Sequence, residues 1–262
     1  MIMGRTLKFC YRMELVFSDN VRQHQFTLRM IPQTDERQKI TECSVLIRPE
    51  CEISEDVDAY GNKYVYGVIE AEHTDFQVEI SGTAQVDSSR PEKASGEEQI
   101  YRYPSRYTKP GDAVTDYYRA HKKDGAESDA DYAERLMHEI YRDMKYQKGV
   151  TGIETTAEEA LRAKAGVCQD YAHIMIAILR MAGIPARYAV GMMKGEGFSH
   201  AWVEAAVSEN WIGYDPTNDH LVDDTYIRIS HGRDYQDCIV NRGFFSGCVT
   251  QEQKINVVVS EV

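Results

Sequence analysis

The sequence has no CxxC pair, and Cys10, Cys43, Cys51, Cys168, Cys238 and Cys248 form no Cys/His cluster at zinc-ligand spacing. Structural zinc modules are thereby excluded, and no pattern calls for a metal or another cofactor. Also missing is any apolar run long enough to span a bilayer, and the opening MIMGRTLKFCYRM holds no signal-peptide core. A cytoplasmic protein with reduced thiols and no membrane partner is therefore expected. Positive charge is in short supply: 30 Lys and Arg face 42 Asp and Glu, a formal net charge of −12. Such a surface repels phosphate backbones, so no nucleic-acid partner is expected. The acidic run Glu50–Asp58 has no EF-hand spacing and reads as a solvated turn.

What is present divides in two. Leu7–Phe17, His24–Met30, Gln38–Ile47, Lys63–Glu70 and Phe76–Val86 are rich in β-branched and aromatic residues, several with period-2 alternation. Gly61-Asn62 supplies a turn between the third and fourth. Short strands at this spacing predict a β-sandwich over residues 1–90. Residues 91–111 lie in a charged stretch with prolines, glycines and no apolar period, read as a linker.

From 112 to 262 helices come first and strands after. Asp112–Lys123 is a short helix candidate. Ser128-Asp129 caps a second helix, with Tyr132, Leu136, Ile140 and Met144 on one face. Thr156 to Glu159 forms a capping box for a third, and a fourth follows Gly166 and stops at Gly183 and Pro185. Strand candidates are Ala186–Met193, Ser199–Val207, Trp211–Tyr214, Tyr226–Ser230 and Lys254–Val259. Helices followed by strands mean α+β, not an alternating βαβ sheet.

One feature of the fourth helix stands out. Its body from Ala172 to Ala182 is apolar almost all round and must be buried, yet Cys168 sits in its first turn. A helix N-terminus carries unpaired N–H groups and partial positive charge, which favour the nucleophilic thiolate. Further along, alternation puts His200, Trp202 and Glu204 on one strand face. Asp215 ends the next strand, because Pro216 holds it extended and closes the ladder. Adjacent antiparallel strands can then set His200 beside Asp215, with Cys168 delivered to the same edge. Nucleophile, base and orienting acid are the roles such a trio fills.

The blocks GVCQDYAHIMIAILRMAGIPARYAVG, SHAWVEA and GYDPTN closely resemble the catalytic core of the bacterial transglutaminase-like superfamily. YRDMKYQKGVTGIETTAEEAL is similar to its lead-in, and ISHGRDYQD to its tail motif. LRMIPQTDERQKI and DAYGNKY resemble the β-rich domain that often precedes it. The resemblance implies a papain-like core in which Cys168 is the nucleophile, His200 the base and Asp215 the residue that orients the imidazole. DCIVNRGFFSGC departs from the family's proline-containing stretch, which bears on the shape of a pocket wall.

The expected function is thiol-dependent cleavage or transfer of amide bonds through an acyl-enzyme. The substrate would be a protein or peptide, with an amine as a candidate acyl acceptor. The backbone N–H of Cys168 is the first oxyanion donor expected. Gln169 and Tyr146 are candidates for the second, Trp202 for a shield over the His–Asp pair, and Arg233 and Tyr235 for a cleft wall. His173 reads as a core histidine, His220 and His231 as exposed loop residues. The alternative is a non-catalytic scaffold that binds peptide or protein on the same fold, since fold alone does not establish activity.

Overall fold

The computed structural model describes residues 4–94 and 98–262. In chain order the elements are β1 (Arg5–Leu28), β2 (Gln38–Arg48), β3 (Ile53–Val57), β4 (Lys63–Ile69), β5 (His73–Val86), α1 (Asp112–Ala120), α2 (Asp129–Asp143), β6 (Lys145–Tyr146), α3 (Ala157–Ala163), β7 (Ala165–Gly166) and α4 (Cys168–Met181). There follow β8 (Ala186–Met193), β9 (Gly195–Gly197), β10 (His200–Val207), β11 (Asn210–Asp215), β12 (His220–Leu221), β13 (Tyr226–Gly232), β14 (Asn241–Ser246) and β15 (Gln251–Glu261). The class is α+β.

The N-terminal half is organised by one long strand. The expected strands at Leu7–Phe17 and His24–Met30 are both parts of β1, which continues through the turn-like SDNVRQ by shifting register and bending, with Gln23 at φ 51°. Its first part pairs with β5 and β15, its second with β4 and β14. The two layers of the expected sandwich are therefore arms of one folded sheet. Leu7, Phe9, Tyr11, Met13 and Leu15 alternate into its core and meet Phe26, Leu28 and Phe76.

Three expectations are corrected. Ile53–Val57, inside the predicted acidic turn, is strand β3, exposed throughout. With both faces wet it carries no alternation to betray it. The C-terminal residues do not stay with the helices: β14 and β15 return to pair with β1, so a unit running unbroken from 112 to 262 does not describe the chain. The presumed linker is packed down as well. Tyr101 and Tyr107 are buried, and Trp211 N–H donates to the Glu92 carbonyl at 2.8 Å. Arg180, near the end of α4, donates to the carbonyls of Tyr101, Ala186 and Arg233, so it holds this segment against the helix.

The second half forms a five-stranded sheet in the order β12-β11-β10-β8-β13. Ala201, Val203 and Ala205 of β10 share a buried core with α4, every residue of which from Asp170 to Arg180 is buried. Met192, Ile227 and Ile229, on β8 and β13, reach the other core, so this sheet also packs on the N-terminal one. Ser128 caps α2, and the Thr156–Glu159 capping box forms at α3. Gly183, at φ 81°, follows α4 as the stop signal requires.

Candidate active site

α4 begins at Cys168, and its buried body fixes where the sulfur sits. The turn before it is closed by Asp170, whose Oδ2 accepts from the Val167 N–H and the Thr151 hydroxyl, both at 2.7 Å. Asp170 is buried, and burial pushes its carboxyl up against these two stabilising bonds. No described acceptor takes the N–H of Cys168, as expected of a first-turn donor.

β10 opens at His200 and pairs with β11 through Val203↔Tyr214 to Val207↔Asn210. Asp215, the last residue of β11, thus lies one step beyond that ladder, beside the start of β10. The imidazole Nε2 stands 2.6 Å from Asp215 Oδ2. Asp215 has no exposed surface. Its Oδ2 also accepts from the Tyr226 hydroxyl at 2.7 Å and Asn218 Nδ2 at 2.8 Å, while Oδ1 takes the backbone N–H groups of Thr217 and Asn218. Burial works against its charge, but this full set of donors holds the carboxyl below its usual range.

For His200, too, burial works against the charged ring. The hydrogen bond to Asp215 and the neighbouring Cys168 overcome it, and the imidazole is pushed up to about 10. With Nε2 taken by Asp215, Nδ1 is the nitrogen left for the sulfur. Cys168 and His200 line one cleft with Tyr146, the β9 strand, Phe198 and Asn218.

Trp202 lies behind this pair, its ring stacked with His200 at 6.5 Å between centroids and edge-on to Tyr226 at 5.5 Å. It is buried, and its Nε1–H donates to Glu204. The expected strand face of His200, Trp202 and Glu204 is thereby realised. Gly191 is the residue paired with His200 across β8. A Cβ there would lie 2.0 Å from the Ile227 carbonyl oxygen and 2.7 Å from the Trp202 ring. Gly191→Ala is expected to lower stability by about 1–3 kcal/mol, read as an earlier urea midpoint at unchanged slope.

Other candidates lie elsewhere. The Gln169 side chain donates to the Ile153 carbonyl and is not part of the cleft wall. Arg233 pairs with Asp237 and lies over the Tyr60 ring. Tyr235 borders a separate depression with Tyr107 and Ile153. Both are turned from the cleft because the segment after β13 is committed to its own short-range bonds. His173 is fully buried, stacked on Tyr107, and accepts from the Tyr235 N–H, with burial lowering it to about 3. His231, expected in an exposed loop, is a buried residue of β13. His220 is exposed, on β12. All six cysteines are free thiols. Tyr226 and Asn218 were not singled out from sequence. Asn218 lies within the quoted GYDPTN block, but Tyr226 carries no local signal.

Residues 117–216 match the transglutaminase-like superfamily core, and residues 7–85 match the bacterial transglutaminase-like N-terminal region. The chain thus carries a transglutaminase-like core behind a bacterial transglutaminase-like N-terminal region. Its fold is that of a protein from Cytophaga hutchinsonii described as a candidate cysteine protease, with a TM-score of 0.82 and 24% identity over 99% of this chain and 91% of that one. Uncharacterized proteins of Mycobacterium leprae and Mycobacterium tuberculosis are each 40% identical, over 114 and 124 residues. These matches take in 40% and 41% of this chain and span 40% of each relative's length. A transglutaminase-like core of this kind is a thiol-enzyme fold.

Proposed function

We propose that this transglutaminase-like protein cleaves or transfers amide bonds through a thioester on Cys168. The observation that carries the reading is the 2.6 Å contact between His200 and a buried, fully hydrogen-bonded Asp215, in a cleft shared with Cys168. His200 takes the thiol proton, leaving the sulfur as the nucleophile. Sulfur attacks the carbonyl carbon, and the oxygen takes up negative charge. The backbone N–H of Cys168 is the first candidate to receive it, with the Tyr146 hydroxyl as the second. The C–N bond then breaks as His200 gives its proton to the leaving amine. Water, or an amine, next gives a proton to His200 and attacks the thioester carbon, which releases the sulfur. Asp215 keeps the ring oriented throughout, and Trp202 shields the pair from water.

Hydrolysis of a protein or peptide is favoured over transfer, since no second-substrate site is evident in the sequence. Iodoacetamide labelling near pH 7 tests the reading, with exposed Cys43 and Cys248 as internal references. Cys168 is expected to react faster than both and to lose that advantage in His200→Ala. Equal rates for the three thiols, unchanged by His200→Ala, would leave the scaffold reading in its place. An acyl-donor and peptide library assayed on wild type and Cys168→Ala, with and without an added amine, then separates hydrolysis from transfer.

A further inference from the structure

The cleft beside Cys168 is small, about 280 Å³, just under the ~300–1,000 Å³ of pockets that envelop a small ligand. One wall is β9. Gly195, Glu196 and Gly197 pair on one side with Val259, Val258 and Val257, and no described strand pairs with the other side. In an antiparallel pair, successive residues direct their N–H and C=O groups alternately toward and away from the partner. Whichever of the three residues bond to β15, at least one turns both groups outward along a free edge.

That edge is also bare. A Cβ built on Gly195 or Gly197 meets nothing within 4 Å, and Gly195 sits at φ +126°, a conformation side chains rarely adopt. The charged groups nearby are engaged with neighbours: Lys194 with Glu261, Glu196 with Asn256, and Lys148 over the Phe198 ring. The wall offers main chain to an incoming ligand, with exposed Phe198 and Tyr146 as apolar surface on the same cleft.

We infer that β9 binds substrate by strand addition: an extended polypeptide segment pairs its main chain with the outer edge of Gly195–Gly197 and so brings one of its carbonyls to Cys168. The inference rests on the thiol-enzyme reading and narrows its protein or peptide substrate to a segment bound as extended chain. Main-chain bonds supply the affinity in this mode, and alternate side chains the selectivity. Three strand residues offer ~10 Å of edge, room for a short segment passing through and not for a folded domain.

The test compares alkylation of Cys168 in the intact protein by iodoacetamide, by N-iodoacetyl-tetra-alanine amide, and by that peptide carrying one backbone N-methyl group at each position in turn. Every reagent forms the same S–CH2 bond and expels iodide, so only the tail differs, and the protein's fold is untouched. The peptide reagent is expected to react about 10-fold faster than iodoacetamide, the equivalent of one or two net hydrogen bonds. N-methylation at alternate positions should remove the gain. A peptide no faster than iodoacetamide, or a gain that survives N-methylation everywhere, overturns strand addition. Failure of the underlying reading is seen separately, as iodoacetamide itself labelling Cys168 no faster than Cys43 and Cys248.

Discussion

Asp215→Asn is expected to slow the alkylation of Cys168 at pH 7 by about 10-fold, since a thiol without a charged imidazole beside it is only a few per cent thiolate there, with the protein still folded. Asparagine keeps the shape, but its single oxygen can go on accepting from the backbone N–H groups of Thr217 and Asn218 only by turning its NH2 toward the ring and Tyr226. It removes the charge that holds the His200 proton and frees the ring to adopt the wrong tautomer. Loss of the charged hydrogen bond should also cost roughly 1.5–3 kcal/mol of stability near neutral pH. The pH dependence is the sharper readout. His200 titrates near 10 when folded against 6.5 as a free side chain. Its pairing therefore stabilises the fold fully below about pH 6.5, and that contribution fades as pH rises toward 10. Asp215 is shifted down from 3.8, so its share is present above that pH and is lost as pH falls through the lower folded value. The gap between wild type and Asp215→Asn should thus be widest between about pH 4 and 6.5 and narrow toward pH 10. Denaturant melts across that range check the sign, and a gap that widens toward pH 10 would contradict the pairing.

Local pattern accounts for why some of this site was legible and some not. The all-round apolar run after Cys168 demands burial, so the start of α4 could be placed, and with it the sulfur. Alternation from His200 to Glu204 and the proline after Asp215 set a face and a strand end. Each of those signals is short in range. Tyr226 lies outside them: it reads as an ordinary strand residue, and its hydroxyl matters only because β13 packs so that it faces the end of β11. The same limit hid the topology. SDNVRQ looks like a turn because its residues suit one, yet β1 runs through it by bulging, held by four different neighbours. NRGFFS has too little alternation to announce β14, and nothing local says that β14 and β15 pair with a strand more than two hundred residues earlier. Periodicity reports which face of an element is buried; it does not report the partner.

The least legible feature lies behind the site and has the largest expected effect on stability. Asp35, Glu92, Arg187, Glu204 and Arg228, scattered over the whole chain, meet in one network. Arg228 reaches Asp35, Glu92 and Glu204, each at 2.8 Å, and Arg187 reaches Glu92 and Glu204 at 2.6 and 2.7 Å. Glu204 and Arg187 are buried. Burial alone would hold the Glu204 carboxyl up, but the two guanidinium groups hold it well below its usual range. Arg228→Met leaves Glu92 and Glu204 to share Arg187, each losing one of two partners, and takes from Asp35 its ion-pair partner. The expected cost is about 3–5 kcal/mol, the range for a buried pair broken on one side. Adding Glu204→Leu removes the buried charge left in excess, so the double variant should recover part of that loss. Urea melts of the two single variants and the double give the coupling directly. Simple additivity would show that uncompensated charge is not what the network prevents. The network also bears on the cleft, because Glu204 accepts from Trp202 and Trp202 stacks behind His200. Arg228→Met should therefore slow Cys168 alkylation without touching the cleft, and the rate should recover together with stability in the double variant only in so far as Trp202 keeps its place without Glu204.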